Sequence, residues 1–148
     1  MLLAHKGRFN IINSVPPANQ QITGVGFQPK LIMFWWSGIA LAPAAPETAQ
    51  NDSIRFGFGA AVSSLERFAL TTISVHATNP TNCRRAHFND ACIATLDAAP
   101  SVAGKADISM DSDGFTLDID VQFPNLMNFE YIARGVDDLL TVKLGSFT

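Results

Sequence analysis

Apolar and polar residues alternate along most of this chain, with the period of strands rather than helices. The clearest case is Phe115 to Phe123, where Phe115, Leu117, Ile119 and Val121 share one face and Thr116, Asp118, Asp120 and Gln122 the other. Asp111-Ser112-Asp113-Gly114 precedes it as a tight turn, and Ala106, Ile108 and Met110 line one face of the strand before that turn. The same reading predicts strands at Leu2 to Ile12, Gln20 to Val25, Ile54 to Val62 and Glu66 to His76, the last rich in β-branched residues. Ala91 to Leu96, Met127 to Arg134 and Leu139 to Phe147 complete the set. One stretch does not alternate. Leu31 to Trp36 is an unbroken run of large apolar residues that follows Gln28-Pro29 and ends at Ser37-Gly38. Pro29 cannot donate to a ladder and belongs before a strand, so the run reads as a strand buried on both faces.

Between these strands lies turn chemistry. Pro16-Pro17 excludes helix from Asn13 to Asn19. Ser37 to Ser53 and Ala77 to Asp90 read as two long loops, and a loop as long as the first inside a compact domain is usually functional or disordered. Gly7 reads as a bulge, while Gly57 and Gly59 mark a bulge or a close approach of a neighbouring sheet. About ten short strands with little or no helix predict one all-β domain over residues 1–148, an antiparallel β-sandwich or jelly-roll-like fold. Its expected core is Phe27, Leu31, Met33, Trp35, Phe56, Phe58, Phe115, Leu117, Ile119, Phe129 and Tyr131.

Composition narrows the function. At 148 residues and 47% apolar, the chain fits one domain that folds without disulfide or metal. Charged residues make up 16%, against about 25% on average, so much of the surface is neutral polar or is covered by a partner. A net charge of -3 argues against a nucleic-acid partner. Met1 to Ala4 is too short for a signal peptide, and no apolar run approaches the roughly 20 residues that span a bilayer. Cys83 and Cys92 lack CxxC spacing and read as unpaired thiols of a protein made in a reducing cytoplasm.

Candidate chemistry thins out on inspection. Asp111, Asp113 and Gly114 open like a calcium loop, but the Glu that would close it is absent, and a hairpin turn explains them. Cys83 and His87, with Asp90 and Cys92 nearby, lack the ligand spacing of a structural zinc site. No motif supports Cys92 with His76 or His87 as a catalytic pair, and Asp118 and Asp120 fall on a solvent face. No catalytic residue, metal ligand or cofactor is therefore assigned. Two contact candidates remain. Ile39, Leu41, Pro43 and Pro46 make the first long loop apolar, and its prolines lower the entropy of ordering it against another subunit. Arg84-Arg85, the adjacent basic pair of the second loop, suits an acidic partner or a sugar-linked phosphate, or is simply solvated. Trp35 and Trp36 point to opposite faces of a strand, so at most one of them sits on an exposed platform.

QITGVGFQPKLIMFWW (Gln21–Trp36) resembles a recurrent segment of the virion proteins of tailed bacteriophages and prophages. RFGFGAA (Arg55–Ala61), DACIATL (Asp90–Leu96), DGFTLDI (Asp113–Ile119) and KLGSF (Lys143–Phe147) are similar to other parts of such proteins. The resemblance implies a β-sandwich module of a tail fibre, a tail-associated protein or a head decoration, and it carries over no catalytic residue. The resulting expectation is a non-enzymatic virion structural protein, foremost a capsid decoration (cement) protein. It would be made in the host bacterial cytoplasm and would act as a homo-oligomer, a trimer, on the major capsid protein or another virion protein. The alternative is a carbohydrate- or host-receptor-binding module of a phage tail, with a glycan as ligand.

Overall fold

The computed structural model describes residues 2–38, 53–75, 82–97, 101–124, 127–136 and 145, and among them there is no helix. The strands are β1 (Leu2–Asn10), β2 (Ala18–Thr23), β3 (Leu31–Trp36), β4 (Ser53–Ala61) and β5 (Arg67–Val75), followed by β6 (Asn82–Phe88), β7 (Ile93–Leu96), β8 (Val102–Asp111), β9 (Gly114–Val121) and β10 (Asn128–Val136). They form a six-stranded sheet, β1-β10-β3-β4-β5-β6, and a four-stranded sheet, β2-β9-β8-β7. Every pairing is antiparallel, so the all-β sandwich expected from the alternation is the fold.

Two kinds of filling separate the sheets. Beneath β1, β10 and β3, the rings of Phe9, Phe34, Phe115 and Tyr131 meet edge-on or tilted, with Phe34 and Phe115 centroids 5.6 Å apart and Phe115 and Tyr131 5.1 Å apart. Gly7 makes room for Tyr131, because a Cβ there would lie 2.3 Å from its Oη; it is a clearance and not the bulge expected. Under β4 and β5 the filling is small: Gly59, Ala61 and Ala69 face the segment Ala91 to Ala94. A Cβ on Gly59 would lie 1.9 Å from the carbonyl oxygen of Cys92, so the two backbones touch there. The sandwich is thick where its core is aromatic and thin where it is Gly and Ala.

The DSDG turn and the Gly24-Val25-Gly26 loop prove to be two halves of one contact. Asp113 accepts hydrogen bonds from the Gly24 amide at 3.2 Å and the Gly26 amide at 2.6 Å, and both glycines have positive φ. Gly114 closes the β8–β9 hairpin at φ +151°, where a Cβ would meet the Ile22 carbonyl at 2.0 Å.

Three further expectations need correction. Leu31 to Trp36 is not buried on both faces: Ile32, Phe34 and Trp36 point inward and are buried, while Leu31, Met33 and Trp35 point outward and are half-buried. In β4 the aromatic residues also take the unexpected face, with Phe58 half-buried and Phe56 57% exposed. The cause is lack of room on the inner face. A Cβ at Gly57 would lie 2.0 Å from the Trp36 indole and one at Gly59 would strike Cys92, so β4 turns its glycines in and its phenylalanines out. Third, Ala77 to Asp90 is not a loop throughout, because Asn82–Phe88 is the edge strand β6. NCRRAHF carries no apolar alternation because an edge strand at the rim of a sandwich is held by its backbone ladder to β5. Phe115, Leu117, Ile119, Phe129 and Tyr131 are buried as expected, and Phe27 packs on the core partly buried. Of the strand expected at Leu139 to Phe147, only Gly145 is among the described residues.

Candidate binding face

The registers of the six-stranded sheet place one residue from every strand in a single row on its outer face: Arg8, Glu130, Trp35, Phe58, Leu70 and His87. The next row holds Lys6, Ile132, Met33, Ala60 and Phe68. On the other side, Phe56, Thr72 and Arg85 align across β4, β5 and β6. The centre of the face is therefore apolar and aromatic: Met33, Trp35, Phe58 and Phe68 are half-buried there and Ala60 is buried, while on β4 and β5 Ile54 is 67%, Phe56 57% and Leu70 47% exposed. Trp35 is pinned by its Nε1, which donates to Glu130 Oε2 at 3.0 Å. Phe68 bridges Phe58 and His87, with ring centroids 6.0 and 6.3 Å away.

Charge is sorted between the two outer faces. On the six-stranded sheet Lys6, Arg8, Arg134 and Arg85 are exposed at the flanks, and Glu130 is the acid among the described outward positions. On the four-stranded sheet the outward positions of β8 and β9 include Asp107, Asp111, Asp118 and Asp120 against Lys105. A chain of net charge -3 thus presents a cation-rimmed apolar face on one side and an acidic polar face on the other. Strands about 4.8 Å apart and rising about 3.3 Å per residue make the six-stranded face about 24 Å wide and, along its longest strands, about 27 Å long, somewhat less than one side of a standard protein interface of about 800 Å². Its apolar centre over three strands spans roughly 300–400 Å², the size of the largest apolar patch on a typical monomer, which is often a functional one. Trp, Phe, Met and Arg together, with few acids, is also the composition that marks interface centres.

Both edges of this sheet are defended. Lys6 lies at the middle of β1 and Arg85 near the middle of β6. A second copy pairing symmetrically along either edge would set like charges opposite each other, which destabilises a ladder.

The sequence-derived candidates fall unevenly on this geometry. Ile39, Leu41, Pro43 and Pro46 lie outside the described residues. Arg84 and Arg85 sit on β6, Arg85 exposed at the outer face and Arg84 half-buried toward the rim of the sandwich. Cys83 and His87 are both outward on β6, but four residues of extended chain separate them by about 13 Å, too far to share a metal ion. Cys92 is fully buried; burial first and the Asp107 charge second push its thiol well above its ordinary range, which makes it inert. Trp35, Met33, Phe56 and Phe58 were expected in the core. The signal that they line a surface is the glycine alternation in RFGFGAA, which only the inner clearance explains.

Near Cys92 a polar clasp joins the sheets. Arg67 Nε lies 2.5 Å from Asp107 Oδ1, with its angles poor for a hydrogen bond, so the contact is an ion pair. Lys105 holds Asp90 at 2.9 Å, and this lowers the exposed Asp90 carboxyl below its ordinary range. Asp107 goes the other way, raised chiefly by burial, with Asp120 and Asp118 adding to the rise and the Ile108 amide and Arg67 opposing it. The folded protein therefore binds the Asp107 proton more readily than the unfolded chain does. Its ionisation works against folding as pH rises from 3.8 through the folded value, whereas Asp90 adds stability above 3.8 that is lost as pH falls below it. We expect the stability of the native protein, relative to Asp107→Asn, to fall as pH rises through the Asp107 window. Urea unfolding in half-unit steps between about pH 3 and 6 checks this; a relative stability that rises instead would mean the Arg67 pair outweighs burial.

No helix of the described residues is long and apolar enough to cross a membrane. Comparisons with family models, with curated proteins and with solved structures yield no match for this chain.

Proposed function

We propose that this chain is a non-enzymatic structural protein that works by attachment through the outer face of its six-stranded sheet. The class is that of tailed-phage virion proteins, foremost a capsid decoration subunit. One observation supports the mode of action: the row from Arg8 to His87, an apolar aromatic centre between cationic flanks on the outer face of the sheet, with Phe56 and Leu70 exposed on it. A broad apolar sheet face rimmed by arginine and lysine suits a protein surface. The Gln21–Trp36 resemblance supplies the virion context, and the low charge of 16% suits a subunit with much of its surface covered.

Leu70 and Phe56 are exposed, so replacing both by Ser leaves the core intact. The native protein is expected to sediment as an oligomer, and the Phe56→Ser/Leu70→Ser variant to sediment as a monomer with an unchanged circular dichroism spectrum. A native protein that is monomeric at all concentrations, or a variant that associates equally well, overturns self-attachment through this face. The glycan reading is favoured by one feature, the aromatic residues Trp35, Phe56 and Phe58 side by side on the open face. In that case titration calorimetry with soluble polysaccharides gives saturable heats that Phe56→Ser removes, and the native protein shows no self-association.

A further inference from the structure

Beside the apolar centre, where β4, β5 and β6 meet the rim of the sandwich, lies a cavity of about 490 Å³ whose lining includes Ile54, Thr72, Ser74, Cys83, Arg84 and Arg85. Neighbours on a strand point to opposite faces, so two consecutive arginines reach one cavity only where a sheet ends. β6 is such an edge, and both Arg84 and Arg85 line this cavity. The polar side chains around it can all donate. The Cys83 thiol donates to Ser74 Oγ at 3.4 Å, which leaves the Ser74 hydroxyl proton free to point elsewhere, while Thr72 Oγ1 is committed to the Phe56 carbonyl at 3.3 Å. No carboxylate is among the described lining residues. Arg84 Nε is shielded from water and meets no hydrogen-bond partner, an unfavourable place for a charged donor; with no accessible surface it does not itself face the cavity, so an anion would reach this guanidinium through its terminal nitrogens.

We propose that this cavity is an oxyanion site, holding a carboxylate or phosphate group of a small ligand between Arg84 and Arg85 with Ser74 as a third donor. Guanidinium groups present paired N–H donors in a plane that matches both oxyanions. Ile54 supplies an apolar wall for the rest of the ligand. The acidic outer face of β8 and β9 belongs to the other sheet, so the anion meets a cationic neighbourhood. This site goes beyond attachment through the apolar face, and it stands or falls separately.

The test is titration calorimetry and thermal unfolding with inorganic phosphate and with succinate, at ionic strength held constant by sodium chloride. Saturable binding of at least one probe is expected, with a rise in Tm that sodium chloride alone does not produce. Arg84→Gln and Arg85→Gln should each weaken binding by about tenfold or more, as loss of a charge-assisted hydrogen bond predicts. Lys6→Gln, an exposed cation on the opposite edge, should leave it unchanged. Preference for phosphate identifies a phosphorylated ligand, and preference for succinate a carboxylated one. Absence of saturation with both probes overturns the site, as does an affinity unaltered in the arginine variants. Arg85 is exposed, so its variant tests the site even if Arg84→Gln disturbs the fold. Self-association plays no part in these readouts.

Discussion

Replacing Gly59 by Ala is expected to destabilise the protein by about 3 kcal/mol, the upper part of the range for overpacking. A single methyl group is enough, because the atom it meets is the Cys92 carbonyl oxygen, 1.9 Å from where the Cβ would be, with the Phe68 carbonyl 3.0 Å away on the other side. Neither neighbour is a side chain that can swing aside. Phe68 lies on β5, laddered to β4, and Cys92 is held through its amide to the Ala106 carbonyl at 3.0 Å. Relief requires moving β7 away from β4 and β5, which opens the thin end of the core around Ala61, Ala69 and Ile93. Gly145→Ala is the control, since nothing lies within 4 Å of its Cβ position. Urea unfolding of both variants decides the matter, and equal midpoints would mean the sheets do not converge at Gly59.

Phe34→Ala should destabilise by about 3–5 kcal/mol, and Phe56→Ala by no more than about 0.5 kcal/mol. Phe34 is fully buried and meets Phe9, Phe115 and Tyr131, so its removal leaves a ring-sized void under β3. Phe56 is 57% exposed and loses little on truncation. Both are phenylalanines on neighbouring strands of one sheet, so the contrast tests strand phase directly. If the larger loss falls at Phe56, then β3 and β4 are turned the other way and the open aromatic face does not exist.

Strand phase is also where sequence reading and structure part. Phe115, Leu117 and Ile119 alternate with polar residues, and their inner face follows from that alternation alone. Leu31 to Trp36 offers no polar residue to mark the outside, so size is the only cue there, and it favours Trp35 no more than Trp36. In β4 the cue misleads, because the larger residues are those that the inner clearance expels. Arg84 and Arg85 stand out in the sequence as a pair, but their strand does not, since the polar string around them carries no inner face to read. Ile39, Leu41, Pro43 and Pro46, the other contact candidates, lie outside the described residues.

What the sequence determined by itself is local: the turn at Asp111–Gly114, the strand periods and the all-β class, each of which depends on neighbours within a few residues. The tertiary structure decided what depends on distant ones. Whether Phe56 is core or surface turns on the room left by Trp36 and Cys92 across the sheet and across the sandwich. The outer row exists only because six strands, from Arg8 to Glu130 along the chain, align in one register. Likewise, two consecutive arginines share a cavity only because their strand is the last of its sheet. Pattern along a strand fixes which residues share a face, and packing against the rest of the fold fixes which way that face looks.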